Sequence, residues 1–271
     1  MANQPKKHHY VPIFHLKEFT PSISEDGTLY VFDKELKRSW PGNPKSVGYQ
    51  NHFNRVDFGK GIDPFVTEKV LGNDFETHWS SCLRDTIRTN TLPDDDDLGH
   101  LIIFVAFAAS RVPLLRKIMK ESFEADGELI PDDIQNIQVE AMWDTALQIQ
   151  QQIQRWTWTL CNVASDAPNL ICSDCPVCLT DREHGGRIFP YAYGTDKPLL
   201  TIPLGKRHAL VGIDTDEPVV QTIDRELVAI TNGRTAYRAS QIYSGESDFV
   251  WYTNDGTVAD AEAFKSAFKF T

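Results

Sequence analysis

The chain has 271 residues, 41% of them apolar, with 38 acidic against 27 basic side chains and a formal net charge of −11. That length and apolar share support a sizeable core in one large domain or two small ones. The acidic balance argues against broad, sequence-blind binding to duplex nucleic acid, which needs a basic surface, but leaves room for a local basic pocket. No apolar run approaches the roughly 20 residues that span a bilayer, no apolar signal segment follows the N-terminal charges, and five cysteines do not form an even disulfide framework; a cytoplasmic protein without membrane contact is expected.

The chain opens on "KKHHYVPIFHLKEF" (6–19), in which two lysines and two histidines precede five apolar anchors: Val11, Ile13, Phe14, Leu16 and Phe19. Either the basic residues line a cleft or they form a solvated tail on an anchored segment. "TLYVFDKE" (28–35) alternates as a strand, and "SWPGNPKSVGYQNHF" (39–53) is loop-like. Over 64–90 the apolar residues recur at helical intervals, with Asp63 and Pro64 suited to the start and Gly72 a weak point inside. A second helix is predicted over 92–123, acidic at its positive end, apolar almost all round from Leu101 to Ala109 and bent at Pro113. Its four aspartates read as a helix start in preference to a metal cluster, because successive helical residues point in different directions. A third helix is predicted over 131–155. Short β-prone runs then alternate with turns, a helix is predicted over 221–239, and a short helix closes the chain. Helices first and strands later indicate an α+β fold, a helical first half packed on a mostly antiparallel sheet formed largely by the second half, in a single domain over 1–271.

Several polar groups carry possible chemistry. Cys172, Cys175 and Cys178, with Cys161 and His184, offer thiolate spacing for a metal, but a second C-x-x-C pair is missing; ordinary thiols are the preferred reading. Ser173 and Asp174 end a β-like run, where a carboxylate serves acid–base work or closes an Asx-type turn. Glu68 and Glu76 lie two turns apart, about 80° around an ideal helix, which denies them a common small ion. His100 and Arg111, eleven residues apart, fall within about 20° on one face. Arg111 follows an apolar stretch and is expected to be buried against a carboxylate or an anionic ligand.

Taken in order, these segments resemble the family called domain of unknown function 4238. The resemblance rests on Lys7, His8, His9, Tyr10, Val11 and Pro12 with Phe14, Leu16 and Phe19; on Glu68, Lys69, Leu71 and Glu76; on Arg111, Val112 and Pro113; on Ser173, Asp174, Pro176 and Val177; on Pro203, Leu204 and Gly205; and on Asn232, Arg238 and Tyr243. Cys175 stands where the family pattern has an amide side chain. The family's label implies no settled reaction.

If these residues converge, cations and acid–base groups share a pocket suited to phosphate. The leading expectation is a hydrolase or nuclease-like enzyme acting on a nucleotide or nucleic acid. His8, His9, Glu68 and Asp174 would be catalytic, Lys7, Tyr10, Arg111, Ser173, Asn232 and Arg238 would bind substrate, and magnesium is a candidate cofactor. The alternative is a non-catalytic module that binds a small anion or a protein partner.

Overall fold

The computed structural model describes residues 6–59, 61–127, 129–182, the backbone of 188–189, 197–216, 219–253 and 255–270. The chain begins with β1 (Lys7–His9), a helical turn α1 (Ile13–Leu16) and a 3-10 turn (Lys17–Phe19). Pro12 stands at the N-cap of α1, where its missing N–H costs little. Strand β2 (Leu29–Asp33) follows where the alternation predicts it. The stretch expected to be loop contains two short strands, β3 (Arg38–Gly42) and β4 (Tyr49–Asn51). β3 is a sheet edge, the place where Pro41 does no harm to a ladder, and β4 pairs with β1.

The helix predicted over 64–90 forms in three pieces: α2 (Val66–Val70), a π turn (Leu71–Glu76) and α3 (Thr77–Thr89). Gly72 falls inside the π turn, where a residue of poor helical propensity eases the departure from α geometry. Helix α4 (Asp95–Ser110) starts at Asp94, whose carboxylate accepts the Asp97 N–H, so the aspartates do begin a helix. Helix α5 (Pro113–Ala125) departs from α4 at 44°, with Pro113 as its first residue. Helix α6 (Ile134–Ile153) completes the helical half.

The second half supplies β5 (Thr157–Val163), β6 (Cys172–Ser173), β7 (Cys178–Asp181), β8 (Ile188–Phe189), β9 (Pro198–Gly205), β10 (His208–Ile213) and β11 (Thr222–Ile223). Helix α7 (Arg225–Tyr237), β12 (Gln241–Ser244), β13 (Trp251–Tyr252), β14 (Val258–Ala259) and α8 (Ala261–Ala267) follow. A six-stranded sheet runs β11-β5-β10-β9-β7-β8, antiparallel throughout except for β11 beside β5. A four-stranded sheet runs β3-β2-β12-β6, so early strands pair with late ones. This is an α+β fold with helices mainly in the first half and sheets mainly in the second.

The main core lies between α3, α4, α6 and the six-stranded sheet; Leu101, Phe104, Val105 and Ala108 of α4 are all buried there, as its all-round apolar pattern requires. A second cluster packs Tyr10, Val11, Leu16 and Phe19 against Leu29, Val31 and Tyr243. Burying each of the large side chains contributes roughly 1.5–3 kcal/mol, so the opening segment is anchored. Of the five expected anchors two are not fully buried: Phe14 packs partly buried against the main core, and Ile13 is half-buried. Gly245 lets the chain pass the Phe19 carbonyl, into which an added Cβ would run. Among the described residues no single helix is long and apolar enough to cross a membrane.

Candidate functional site

β1 pairs Lys7 with Asn51, His8 with Gln50 and His9 with Tyr49. Alternation along the strand separates its side chains: Lys7 and His9 share one face and His8 takes the other. Lys7 Nζ lies 4.4 Å from the centre of the Tyr49 ring, and the His9 and Tyr49 rings are 5.4 Å apart. The expectation that Lys7, His8 and His9 line one cleft together is therefore corrected: His8 is wholly buried on the opposite face.

His8 Nδ1 accepts the backbone N–H of Asn54 at 2.9 Å, which places the proton of the neutral ring on Nε2. Glu68 Oε1 lies 3.5 Å from the same Nδ1. With Nδ1 acting as an acceptor, this is a close approach and not an ion pair. Asn54 relieves it, because its side-chain Nδ2 donates to Glu68 Oε1 at 2.5 Å. Asn54 Oδ1 accepts from Arg116 Nη2 at 3.0 Å. Arg116 also donates from Nη1 to the Phe53 carbonyl and stacks 3.4 Å from the centre of the Phe53 ring. Neither Asn54 nor Arg116 was singled out from the sequence. Asn54 sits in a loop and Arg116 on an amphipathic helix, and only the pairing of β1 with β4 brings the 50s loop to the histidines.

His9 is half-buried. Its Nε2 is fully enclosed and has no hydrogen-bond partner among the described residues, while the ring's other nitrogen is held by the Pro44 carbonyl. Burial first, then the positive charges of Arg111 and Lys7, push its pKa down to about 4. At neutral pH the ring is uncharged and Nε2 carries a lone pair.

Arg111 is the C-cap of α4 and its side chain is 3% exposed. Nη1 and Nη2 donate to Glu76 Oε1 at 3.1 and 3.2 Å. The predicted 80° separation of Glu68 from Glu76 is corrected by the π turn between them. A π turn absorbs one residue, so the pair is spaced as if seven apart and lies within about 20° on one face. That face meets His8 through Glu68 and Arg111 through Glu76. His100 does not join this group; its ring stacks on His78 at 5.3 Å.

The later motif residues sit in backbone clips. Asp174 is buried and accepts the N–H groups of Ser240 and Gln241 at 3.0 and 3.1 Å. Burial pushes its pKa up to about 7 against the pull of these two donors. Ser173 Oγ accepts the Cys175 N–H at 3.1 Å, a turn cap. Asn232 is wholly buried; it accepts the Ile171 N–H and donates to the Asn169 and Val250 carbonyls. Tyr10 and Tyr243 place their hydroxyls 3.4 Å apart, and Tyr243 donates to Gln241 Oε1 at 2.9 Å. Gln241 Nε2 in turn donates to Asp33, and burial raises both phenol pKa values. Arg238 is half-buried, and its charge reaches Cys175 and Cys178.

Cys172 and Cys178 lie in different sheets. Each thiol donates to a carbonyl, of Ser173 and Arg234 respectively, and burial pushes Cys178 up to about 12. His184 lies outside the described residues. No group of three His, Cys, Asp or Glu side chains that could hold a metal ion occurs among the described residues.

Comparison with known proteins supports the family resemblance. A family model described as "Protein of unknown function (DUF4238)" matches residues 7–248, and the chain belongs to that family. No curated protein and no solved structure matches the chain.

Proposed function

We propose that the chain is a hydrolase acting on a phosphate-bearing substrate, a nucleotide or nucleic acid, with His9 as the proton acceptor. The observation that carries this reading is the enclosed Nε2 of His9, without a hydrogen-bond partner among the described residues, within the electrostatic reach of Arg111 and Lys7. A buried polar atom without a partner calls for an explanation, and a neutral imidazole under the influence of two cations suits an anion whose reaction releases a proton. In the proposed step the substrate uncovers the enclosed His9 Nε2 as it binds, Nε2 takes a proton from water, the water oxygen bonds to phosphorus, and the phosphoester P–O bond breaks so that the leaving oxygen departs with the bonding pair and takes a proton from solvent. Arg111, held by Glu76, and Lys7 offset phosphate charge. His8 and Glu68 support β1 through Asn54. Magnesium often keeps most of its water shell and needs few protein carboxylates. The described residues offer it no cage, and the steps proposed here use this chain's own side chains. A cytoplasmic location belongs to the same proposal.

A second reading, an anion-binding module without chemistry, is favoured by one observation: Ser173, Asp174 and Asn232 spend their polar atoms on backbone groups. Phosphodiester and phosphomonoester substrates, assayed with and without magnesium for wild type and His9→Gln, separate the two. Turnover lost in His9→Gln at unchanged stability supports the hydrolase. Phosphate binding without turnover in wild type supports the module, and absence of both refutes the site.

A further inference from the structure

Helix α5 has no fully buried residue. Its Leu115, Ile118, Met119 and Ser122 nevertheless form one stripe at i, i+3, i+4 and i+7. Across from it, Gln138, Ala141, Met142 and Thr145 of α6 repeat the same spacing, and both stripes line one groove. Facing stripes of this kind ordinarily interdigitate to interior density. Here they leave a groove of about 290 Å³, on the order of ten water volumes and close to the lower bound for small-molecule pockets. Among the described residues one hydrogen bond links the two helices, from Gln138 Nε2 to the Arg116 carbonyl at 3.1 Å.

Arg116 also lines this groove. Its guanidinium donates to two neutral acceptors, the Phe53 carbonyl and the Asn54 amide oxygen. No carboxylate among the described residues forms an ion pair with it; Glu68 acts on it only at a distance, through Asn54. Burial pushes its pKa down to about 9, the response of a cation short of a counter-charge. A half-buried arginine is stabilised by an anion with geometry to match its fork.

We propose that the α5–α6 groove binds an aliphatic-tailed anion of medium chain length, with the tail against Leu115, Ile118, Met119, Ala141 and Met142 and the carboxylate on Arg116. The apolar walls select the tail and the underpaired guanidinium selects the head. This site shares Arg116 with the Asn54–Glu68 network that supports β1, but it does not rest on proton transfer at His9, since it is read by binding and not by turnover.

The test uses the full chain and sodium decanoate below its micelle concentration, with decan-1-ol, acetate and inorganic phosphate as comparison probes. Calorimetry and thermal unfolding are expected to show saturable one-to-one decanoate binding that raises the melting temperature. Decanol, acetate and phosphate should each bind at least tenfold more weakly. Ala141→Trp, which fills the groove, and Arg116→Gln should each weaken decanoate at least tenfold. Equal binding of decanol would overturn the role of Arg116, and equal binding of acetate or phosphate would overturn the role of the groove. If Arg116→Gln fails to fold, Ala141→Trp decides alone, and unchanged affinity there refutes the proposal. Self-association that Ala141→Trp abolishes, without decanoate binding, would show that a second copy of the chain fills the groove and would overturn the assignment.

Discussion

The Arg111–Glu76 pair is unequally buried, and that inequality predicts an unequal response to substitution. The arginine side chain is 3% exposed and the glutamate 31%. Removing the arginine leaves a carboxylate that water can reach, so Arg111→Met, which keeps most of the side-chain volume, should cost about 1 kcal/mol. Glu76→Gln leaves a guanidinium in the interior with a neutral acceptor in place of its counter-charge, a situation that costs about 3 kcal/mol. In the double variant there is no charge to strand. Its loss should fall near that of Arg111→Met alone, giving a coupling of about 3 kcal/mol between the positions. The assay is urea unfolding followed by tryptophan fluorescence, with the four proteins compared at a common slope. Additive losses, or Glu76→Gln milder than Arg111→Met, would refute the claim that the arginine is the residue in need of its partner.

His15 is wholly buried, with Nε2 2.8 Å from the Pro203 carbonyl, and burial pushes its pKa down to about 4. A depressed histidine pKa means that the unfolded chain binds the proton more readily, so stability is fully present above about pH 6.5 and is lost as pH falls through 4. The loss over that interval is about 3 kcal/mol; His15→Gln, which can still donate to Pro203, should flatten the pH dependence of the urea midpoint, and parallel wild-type and variant profiles would contradict this. Asn54→Leu removes the amide that serves Glu68 and Arg116. It should lower stability by about 2 kcal/mol or more, because both charged groups lose a buried partner; a loss below about 0.5 kcal/mol in the same assay would show that Asn54 does not hold the cluster.

Sequence periodicity revealed what depends on local spacing. The helical run after Asp94 is apolar all round, and α4 lies in the core. Pro113 marks the break into α5, and the alternating residues around Leu29 form β2. Contacts that depend on distant pairing left little local trace. β2 joins β12 across some two hundred residues of chain, and β1 finds β4 inside a stretch whose Pro and Gly content reads as loop. The same limit hid the centre of the site. Asn54 has no periodic neighbour, yet its backbone fixes the His8 tautomer and its side chain joins Glu68 to Arg116. The π turn shows how a small local departure rearranges chemistry: Gly72 is visible as a weak point, but only one absorbed residue turns Glu68 and Glu76 onto a common face. That rotation matters because the histidines of β1 point to opposite sides. His8 lies beside Glu68, whereas Glu76 holds Arg111, whose charge acts on His9, so one helix face bears on both histidines. The arrangement leaves His9 neutral under the influence of two cations, with its Nε2 unclaimed among the described residues, while Asp174 and Asn232, equally prominent in the sequence, are spent on backbone groups. Residue type alone cannot separate these outcomes, because a carboxylate at a strand end serves a clip as well as a reaction. Its hydrogen-bond partners decide which.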